Sequence, residues 1–238
     1  MSCIEQNACP RESAVYRPSV LIVLLAGIGD LILVSSAIRA VRNGYPNSEI
    51  HLLTIAEAGK LATYYPFIDH VHVFPVRQFR SDKRTIIPAL QVMCRLKTVN
   101  FKVCMNLYRV SSFSGALKMG LLFSVLKADV KIGHDRYGFG RFLDVSLPAS
   151  TFRGRHVVDA MQEIAIKAGG IPDDRGIEVF WNPTTERKWS SFFDSIERKT
   201  VIGINPGGDR ANRRWAHDRF AAVASRLVER FDTWIVLL

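Results

Sequence analysis

The sequence predicts an α/β protein built on a parallel β-sheet with helices on both faces. Short runs typical of strands alternate with stretches of helical periodicity along most of the 238 residues. The first run, Val20–Leu25, is unbroken and apolar, as expected for a strand buried on both faces of its sheet. Alternation of this kind produces βαβ units, in which each helix connects two parallel strands.

The elements follow in chain order. After the first strand, one helical face carries Leu31, Val34, Ile38 and Val41, and Asn43-Gly44 is a helix stop. Further strands are predicted at Glu49–Thr54, His70–Phe74, Lys102–Leu107, Val130–Gly133, Glu178–Trp181, Val201–Ile204 and Thr233–Leu238, and further helices near 82–97, 112–126, 155–168, 185–196 and 217–230.

The chain divides into three parts. Residues 1–19 form a polar tail without the basic start and apolar core of a secretory signal. Residues 20–172 form the first α/β domain, and 173–238 hold a linker and the start of a second one. Because the sequence stops within "TWIVLL", an apparent core strand, we expect a truncated copy or a fragment of a longer protein.

Composition narrows the function classes. Apolar residues make up 48% and charged residues 23% of the chain, which excludes a disordered protein. The net charge of +10 favours an anionic partner, but no nucleic-acid recognition motif accompanies it. No uncharged apolar stretch reaches the length of about 18 residues needed to span a membrane, so a cytoplasmic protein is expected. The four cysteines form no C-x-x-C pair, and no metal site is predicted.

A glycine turn, Gly27-Ile28-Gly29-Asp30, follows the first strand. It is a poor dinucleotide fingerprint, because Ile32 replaces the third glycine and Asp30 would repel a pyrophosphate. A Rossmann-type oxidoreductase is therefore only an alternative. Asp30 has two open interpretations: it caps the following helix, or it is a general base at the carboxyl edge of the sheet.

A second glycine-containing segment, Asn205-Pro206-Gly207-Gly208, ends a later strand and precedes a basic loop with Arg210, Arg213 and Arg214. Backbone N–H groups beside arginines are typical of phosphate-binding sites. The alternative is a solvated loop before an amphipathic helix, with Trp215 as a packing anchor.

Together these stretches resemble a known family. "GIGDLILVSSAIRAVRNGYPNSEIHLLT" and "VIGINPGGDRANRRWAHDRF" are similar to the opening motifs of the two domains of glycosyltransferase family 9, the lipopolysaccharide heptosyltransferases. "DVSLPASTFRGRHVVDAMQEIAIKAGG", between them, matches as well. The resemblance implies a GT-B fold of two Rossmann-like domains, with an acceptor site in the first domain and a nucleotide-sugar site in the second.

The resemblance also implies roles for individual residues. Asp30 would be the catalytic base of an inverting transfer, and Gly27 and Gly29 would lie against the acceptor. Gly207, Gly208 and Arg213 would bind the phosphates of the donor, for which the resemblance implies ADP-heptose or another nucleotide sugar. No cofactor and no metal are implied, and the sequence contains no D-x-D motif of the metal-dependent transferases.

Residues 77–102 contain seven basic side chains against one acidic side chain. We interpret Arg77 and Arg80 as contacts to a lipid A-type acidic acceptor, and the wider stretch as a contact with the inner face of the inner membrane. A solubilising helix face would also explain the charge. The remaining alternative function is a catalytically inactive relative that only binds an acidic glycan or a membrane surface.

Overall fold

The computed structural model describes residues 17–75, 86–148, 150, 154–196, 200–207 and 214–238. They fall into two compact units, with the division between Trp181 and Asn182. Both units combine helices with parallel strands, so the predicted α/β class is confirmed.

The first unit contains a six-stranded sheet. Its elements are β1 (Ser19–Leu24), α1 (Ile28–Leu33), α2 (Ser35–Gly44), β2 (Glu49–Thr54), α3 (Ala56–Ala62), β3 (His70–Val73), α4 (Ile86–Thr98), β4 (Asn100–Asn106), α5 (Phe113–Val125), β5 (Lys127–Asp135), β6 (Val145–Pro148) and α6 (Val157–Lys167). The strand order is β3-β2-β1-β4-β5-β6, and every neighbouring pair is parallel. All six carboxyl ends therefore lie at one edge of the sheet.

The strand β1 lies at the centre of this unit and is buried along its whole length. Its alternate residues face opposite sides of the sheet, as the period of two requires. Val20, Ile22 and Leu24 belong to the hydrophobic core on one face, and Leu21 and Val23 belong to the core on the other. This double burial explains why the strand is an unbroken apolar run.

Three features differ from the predictions. The helix expected after the glycine turn is divided at Val34, whose backbone (φ −94°, ψ 4°) ends α1 and precedes α2. The short elements α3 and β6 were not predicted. No strand forms at Glu178–Trp181, although that segment is described. Phe180 instead packs edge-to-face on Tyr65, and among the described residues no strand pairs with this segment.

The segment from Asp173 to Trp181, which the sequence analysis places in the linker and start of the second domain, belongs to the first compact unit. Arg39 on α2 holds it there. The Arg39 guanidinium donates to both carboxylate oxygens of Asp173, to the Gly176 carbonyl and to the Glu178 carboxylate. These side-chain contacts join residues that are more than 130 positions apart, so the local sequence does not reveal them.

The second unit contains α7 (Pro183–Ser195), β7 (Thr200–Ile204), α8 (His217–Arg230) and β8 (Thr233–Leu237). The helix α7 begins at Asn182, whose side chain accepts a hydrogen bond from the Thr184 N–H, with proline at the next position. Strands β7 and β8 are parallel neighbours, which makes β7-α8-β8 a βαβ unit. Within the described residues of both units, no helix combines the length and apolar character that crossing a membrane requires.

Candidate active site

The strand order creates a crevice for a ligand between the loop that follows β1 and the loop that follows β4. The chain leaves β1 toward β2 on one side, and β4 lies on the other side of β1. The loops after β1 and β4 therefore turn away from each other at the carboxyl edge of the sheet. Ligands of open α/β sheets bind in the crevice at such a topological switch point.

The glycine turn occupies this point. Gly27 is the N-cap of α1, and neither Gly27 nor Gly29 has a positive φ. A Cβ atom added at either position would meet no atom within 4 Å among the described residues. The fold itself thus does not require glycine at these positions. The bare backbone leaves open space, which a bound molecule can occupy.

Asp30 lies three residues after the N-cap, in the first turn of α1. Its side chain makes no capping hydrogen bond, so the alternative that Asp30 is the N-cap itself is wrong. The residue is exposed, and within the described part of the chain its carboxylate has no hydrogen-bond or ion-pair partner. Such a carboxylate is available to accept a proton or a hydrogen bond from a ligand.

A depression of about 90 Å³ opens beside this carboxylate. Asp30 lines it together with residues that follow β4, Tyr108 and Arg109, and with Val157 and Met161 of α6. Most of the lining is apolar, and Asp30 and Arg109 supply opposite charges at its surface. The arrangement can hold a small polar group, such as a hydroxyl, beside a carboxylate.

Two hydrogen bonds fix the β4 side of the depression. The Leu107 N–H donates to the Val23 carbonyl over 2.9 Å, which continues the pairing of β4 with β1. The buried Asn106 side chain then accepts a hydrogen bond from the Tyr108 N–H over 3.1 Å and shapes the turn. Tyr108 and Arg109 are exposed beyond it. The sequence analysis missed both residues, because only the strand order shows that the end of β4 lies beside the glycine turn.

Two histidines near α6 make structural contacts. His134 lies within β5, where its Nε2 is 3.1 Å from the Ala160 carbonyl oxygen, and burial lowers its pKa. His156 is the N-cap of α6, and its Nδ1 accepts a hydrogen bond from the Val158 N–H over 3.3 Å.

The predicted phosphate-binding segment is described in part. Gly207 is exposed after β7, and its N–H donates to the Asn205 side chain over 3.0 Å in a local turn. Trp215 packs edge-to-face against Phe220 of α8, with ring centroids 5.1 Å apart. The predicted site residues Gly208, Arg213, Arg77 and Arg80 lie outside the described residues.

The family model for glycosyltransferase family 9 (heptosyltransferase) matches residues 95–238. A family 9 glycosyl transferase from Veillonella parvula DSM 2008 is similar in structure, with 19% identity and a TM-score of 0.73 over 92% of this chain and 62% of that one. No curated protein sequence matches.

Two Escherichia coli structures are similar as well. Heptosyltransferase WaaC with ADP has 15% identity and a TM-score of 0.66 over 92% of this chain and 66% of that one. ADP-heptose lps heptosyltransferase II has 17% identity and a TM-score of 0.62 over 92% and 63%. The chain thus spans less than two thirds of the length of each of these proteins. The likeness confirms the predicted fold class of GT-B type.

Proposed function

This chain belongs to glycosyltransferase family 9, and we propose that it acts in the transfer of a heptose, or a related sugar, from a nucleotide diphosphate sugar to a lipopolysaccharide core acceptor. The observation that carries the proposal is the exposed and unpartnered Asp30 carboxylate among the described residues, beside open glycine backbone at the switch point of the sheet. A general base must lie within hydrogen-bond distance of the hydroxyl whose proton it removes.

The proposed reaction is a single displacement. An acceptor hydroxyl enters beside Gly27 and Gly29 and gives its proton to the Asp30 carboxylate. Its oxygen forms a bond to the anomeric carbon while the bond from that carbon to the diphosphate oxygen breaks. The nucleoside diphosphate leaves, and the configuration at the anomeric carbon is inverted. The family and the fold support this chemistry through Asp30, and no metal or cofactor enters the proposed step.

Donor and acceptor are further parts of the proposal. A solved WaaC structure contains ADP and another contains ADP-2-deoxy-2-fluoro heptose, which supports a nucleotide sugar as the donor. We assign its phosphates to Gly207, Gly208 and Arg213. The acidic acceptor would be bound by Arg77 and Arg80, and the exposed Arg109 at the depression adds a positive charge at the reaction centre.

Peripheral contact with the inner membrane is proposed from two apolar stripes on neighbouring helices. Phe113, Leu117 and Leu121 recur every four residues along α5 and are 75%, 58% and 63% exposed. Ile87 and Leu90 form the stripe on α4 and are 65% and 58% exposed. Exposed apolar residues on this scale mark interaction surfaces, and basic residues follow in the last turn of α4.

The membrane contact is tested by co-sedimentation with lipid vesicles. Wild-type chain should sediment with vesicles that contain 30% anionic phosphatidylglycerol more than with purely zwitterionic vesicles, because basic residues flank the stripes. Replacing Leu117 and Leu121 by serine should reduce binding to both. If that double variant sediments like the wild type, the stripes do not contact the membrane.

The role of Asp30 is tested by comparing two asparagine variants. Asp159 lies at the same position of α6 as Asp30 does of α1, three residues after the N-cap, and is also exposed. We expect Asp30→Asn to lower the rate of transfer about 10²- to 10⁴-fold. Asp159→Asn should leave the rate unchanged, and both should alter the free energy of unfolding by less than about 1 kcal/mol.

The assay follows release of ADP from ADP-heptose and the mass of a core acceptor in the same samples. Equal rates for wild type and Asp30→Asn would remove Asp30 from the chemistry. If the wild-type chain binds acceptor but releases no ADP, the binding-only alternative replaces the transferase. Substitution of Asp30 should then change acceptor affinity alone.

A further inference from the structure

Two neighbouring strands bring four side chains with ligand atoms to one face of the sheet, away from the depression. Glu49 and His51 are two residues apart on β2, and His70 and His72 are two residues apart on β3. The parallel register pairs His51 with His70. Glu49 and His70 are the first residues of their strands, so the cluster lies toward the amino ends of the strands, opposite the edge that carries Asp30.

The ligand atoms lie at separations that suit a bound ion. The Glu49 Oε2 atom is 3.5 Å from His70 Nε2 and 3.6 Å from His51 Nε2, and all three atoms lie within 4.8 Å of one another. These distances are longer than ordinary hydrogen bonds, which are about 2.7–3.2 Å. Neighbouring ligands on a tetrahedral ion, each about 2.0–2.1 Å from the metal, are themselves about 3.4 Å apart. Small side-chain movements would complete the geometry.

His51 supplies a second and independent observation. The residue is only 5% exposed, and its Nε2 atom is buried with no hydrogen-bond partner within the described chain. Leaving a buried polar atom unpaired costs about 1–3 kcal/mol. The Nε2 atom lies 3.6 Å from the Glu49 Oε2 atom, so an ion bound between them would give it the partner that it lacks.

His72 fixes the orientation of that ring. Its Nε2 lies 3.0 Å from His51 Nδ1, and the two rings are nearly parallel, with an angle of 4° between their planes. When His51 Nδ1–H donates to His72, the His51 Nε2 atom carries the lone pair. Metal-binding histidines commonly donate their second N–H to a neighbouring acceptor in this way.

We propose that Glu49, His51 and His70 bind one Zn²⁺ ion, with His72 as the hydrogen-bonded support of His51. Two imidazoles and one carboxylate favour zinc over the all-oxygen preference of Mg²⁺ and Ca²⁺. Water would occupy the fourth position, and the side chains of Glu49 and His70, 45% and 47% exposed, provide the entry path. The ion would fasten the four-residue edge strand β3 to β2 and would stabilise the fold without taking part in the transfer.

The neighbouring carboxylate of Asp69 is not one of the proposed ligands, because it already has other partners. Asp69, which directly precedes His70, accepts a hydrogen bond from the Ile50 N–H over 2.7 Å and pairs with Arg42. These partners lower its pKa against the opposing effect of burial. Asp69 is therefore already engaged, and the three proposed ligands are those whose polar atoms face one another.

The test is calorimetric titration of the EDTA-treated and dialysed 238-residue chain with Zn²⁺. We expect one ion per chain, and at least 10-fold weaker binding in Glu49→Gln and in His70→Gln. Both residues are half exposed, so neither substitution should prevent folding, which circular dichroism checks. His217→Gln is the matched control, because it removes an exposed histidine from α8 in the other compact unit. It should bind Zn²⁺ like the wild type.

Thermal unfolding gives a second readout that does not depend on catalysis. Zinc at 100 times its dissociation constant should stabilise the chain by the amount that mass action predicts, and Mg²⁺ at the same concentration should not. His72→Gln should weaken zinc binding about 10-fold, as loss of such a support does in other zinc sites. Absence of zinc binding, or equal binding by wild type, Glu49→Gln and His70→Gln, would overturn the proposal.

Discussion

Replacing Arg39 by methionine is the sharpest test of how the first unit holds its last segment. Arg39 is 1% exposed, and its guanidinium is the shared donor for Asp173, Gly176 and Glu178. The hydrogen bond that Arg39 donates to the Asp173 carboxylate is the main reason that the pKa of Arg39 is raised. Methionine fills most of the same volume but leaves both carboxylates without their cation.

The expected loss follows from the burial of the two partners. Breaking a buried ion pair by removing one member costs about 3–5 kcal/mol. The side chains of Asp173 and Glu178 are 24% and 28% exposed, so water can partly replace the arginine. We therefore expect the lower end, about 3 kcal/mol. For a domain of this size, each kcal/mol lowers the melting temperature by about 2–4 °C, which gives a decrease of about 6–12 °C.

Differential scanning calorimetry measures this decrease, and Arg175→Met is the matched control. Arg175 also donates to the Asp173 carboxylate, over 2.8 Å, but its side chain is 54% exposed. Surface pairs of that kind contribute about 0–1 kcal/mol. If Arg175→Met lowers the melting temperature as much as Arg39→Met does, burial is not the source of the effect and the reasoning is refuted.

Two further predictions concern the same unit. Gly44→Ala should destabilise the unit strongly, since the new Cβ would lie 2.1 Å from the Gly169 carbonyl oxygen. Gly29→Ala should leave the melting temperature unchanged or slightly raised, because its Cβ would enter the open space beside Asp30. The same Cβ should weaken acceptor binding. A calorimetric melt of each variant separates these outcomes, and equal losses would contradict them. The hydrogen bond from Arg39 is the largest cause that lowers the pKa of Asp173. The stabilisation it gives is present above the unfolded-state pKa of about 3.9 and is lost as the pH falls below it. The difference in melting temperature between wild type and Asp173→Asn should therefore shrink from pH 6 to pH 3, and a constant difference would argue against this linkage.

The local elements could be predicted because consecutive residues carry their pattern. The strand at Glu49–Thr54 and the helix after His217 occur where the sequence analysis placed them. Periodicity fails where packing, and not strand pairing, sets the pattern. Phe180 is partly buried between two exposed residues because it packs on Tyr65, and this segment forms no strand.

Only part of the candidate site, the glycine turn with Asp30, could be predicted from the sequence. The glycine turn and Asp30 follow directly from the sequence, because a glycine-rich connection after a buried strand is visible in adjacent residues. Whether Asp30 caps its helix was not decidable there, since the cap depends on where the helix begins. The structure places that start at Gly27 and leaves the Asp30 side chain without a capping bond.

The sequence by itself determined the parallel α/β class, the buried first strand and the two glycine segments that resemble the family motifs. Only the tertiary structure decided which strands are neighbours. Placing β4 beside β1 brings Arg109 to the depression that Asp30 lines, and placing β3 beside β2 brings His70 within reach of Glu49. The physical reason is that a strand is specified by its own alternation of side chains. Its partner is chosen by the packing of helices and strands that lie far away in the chain.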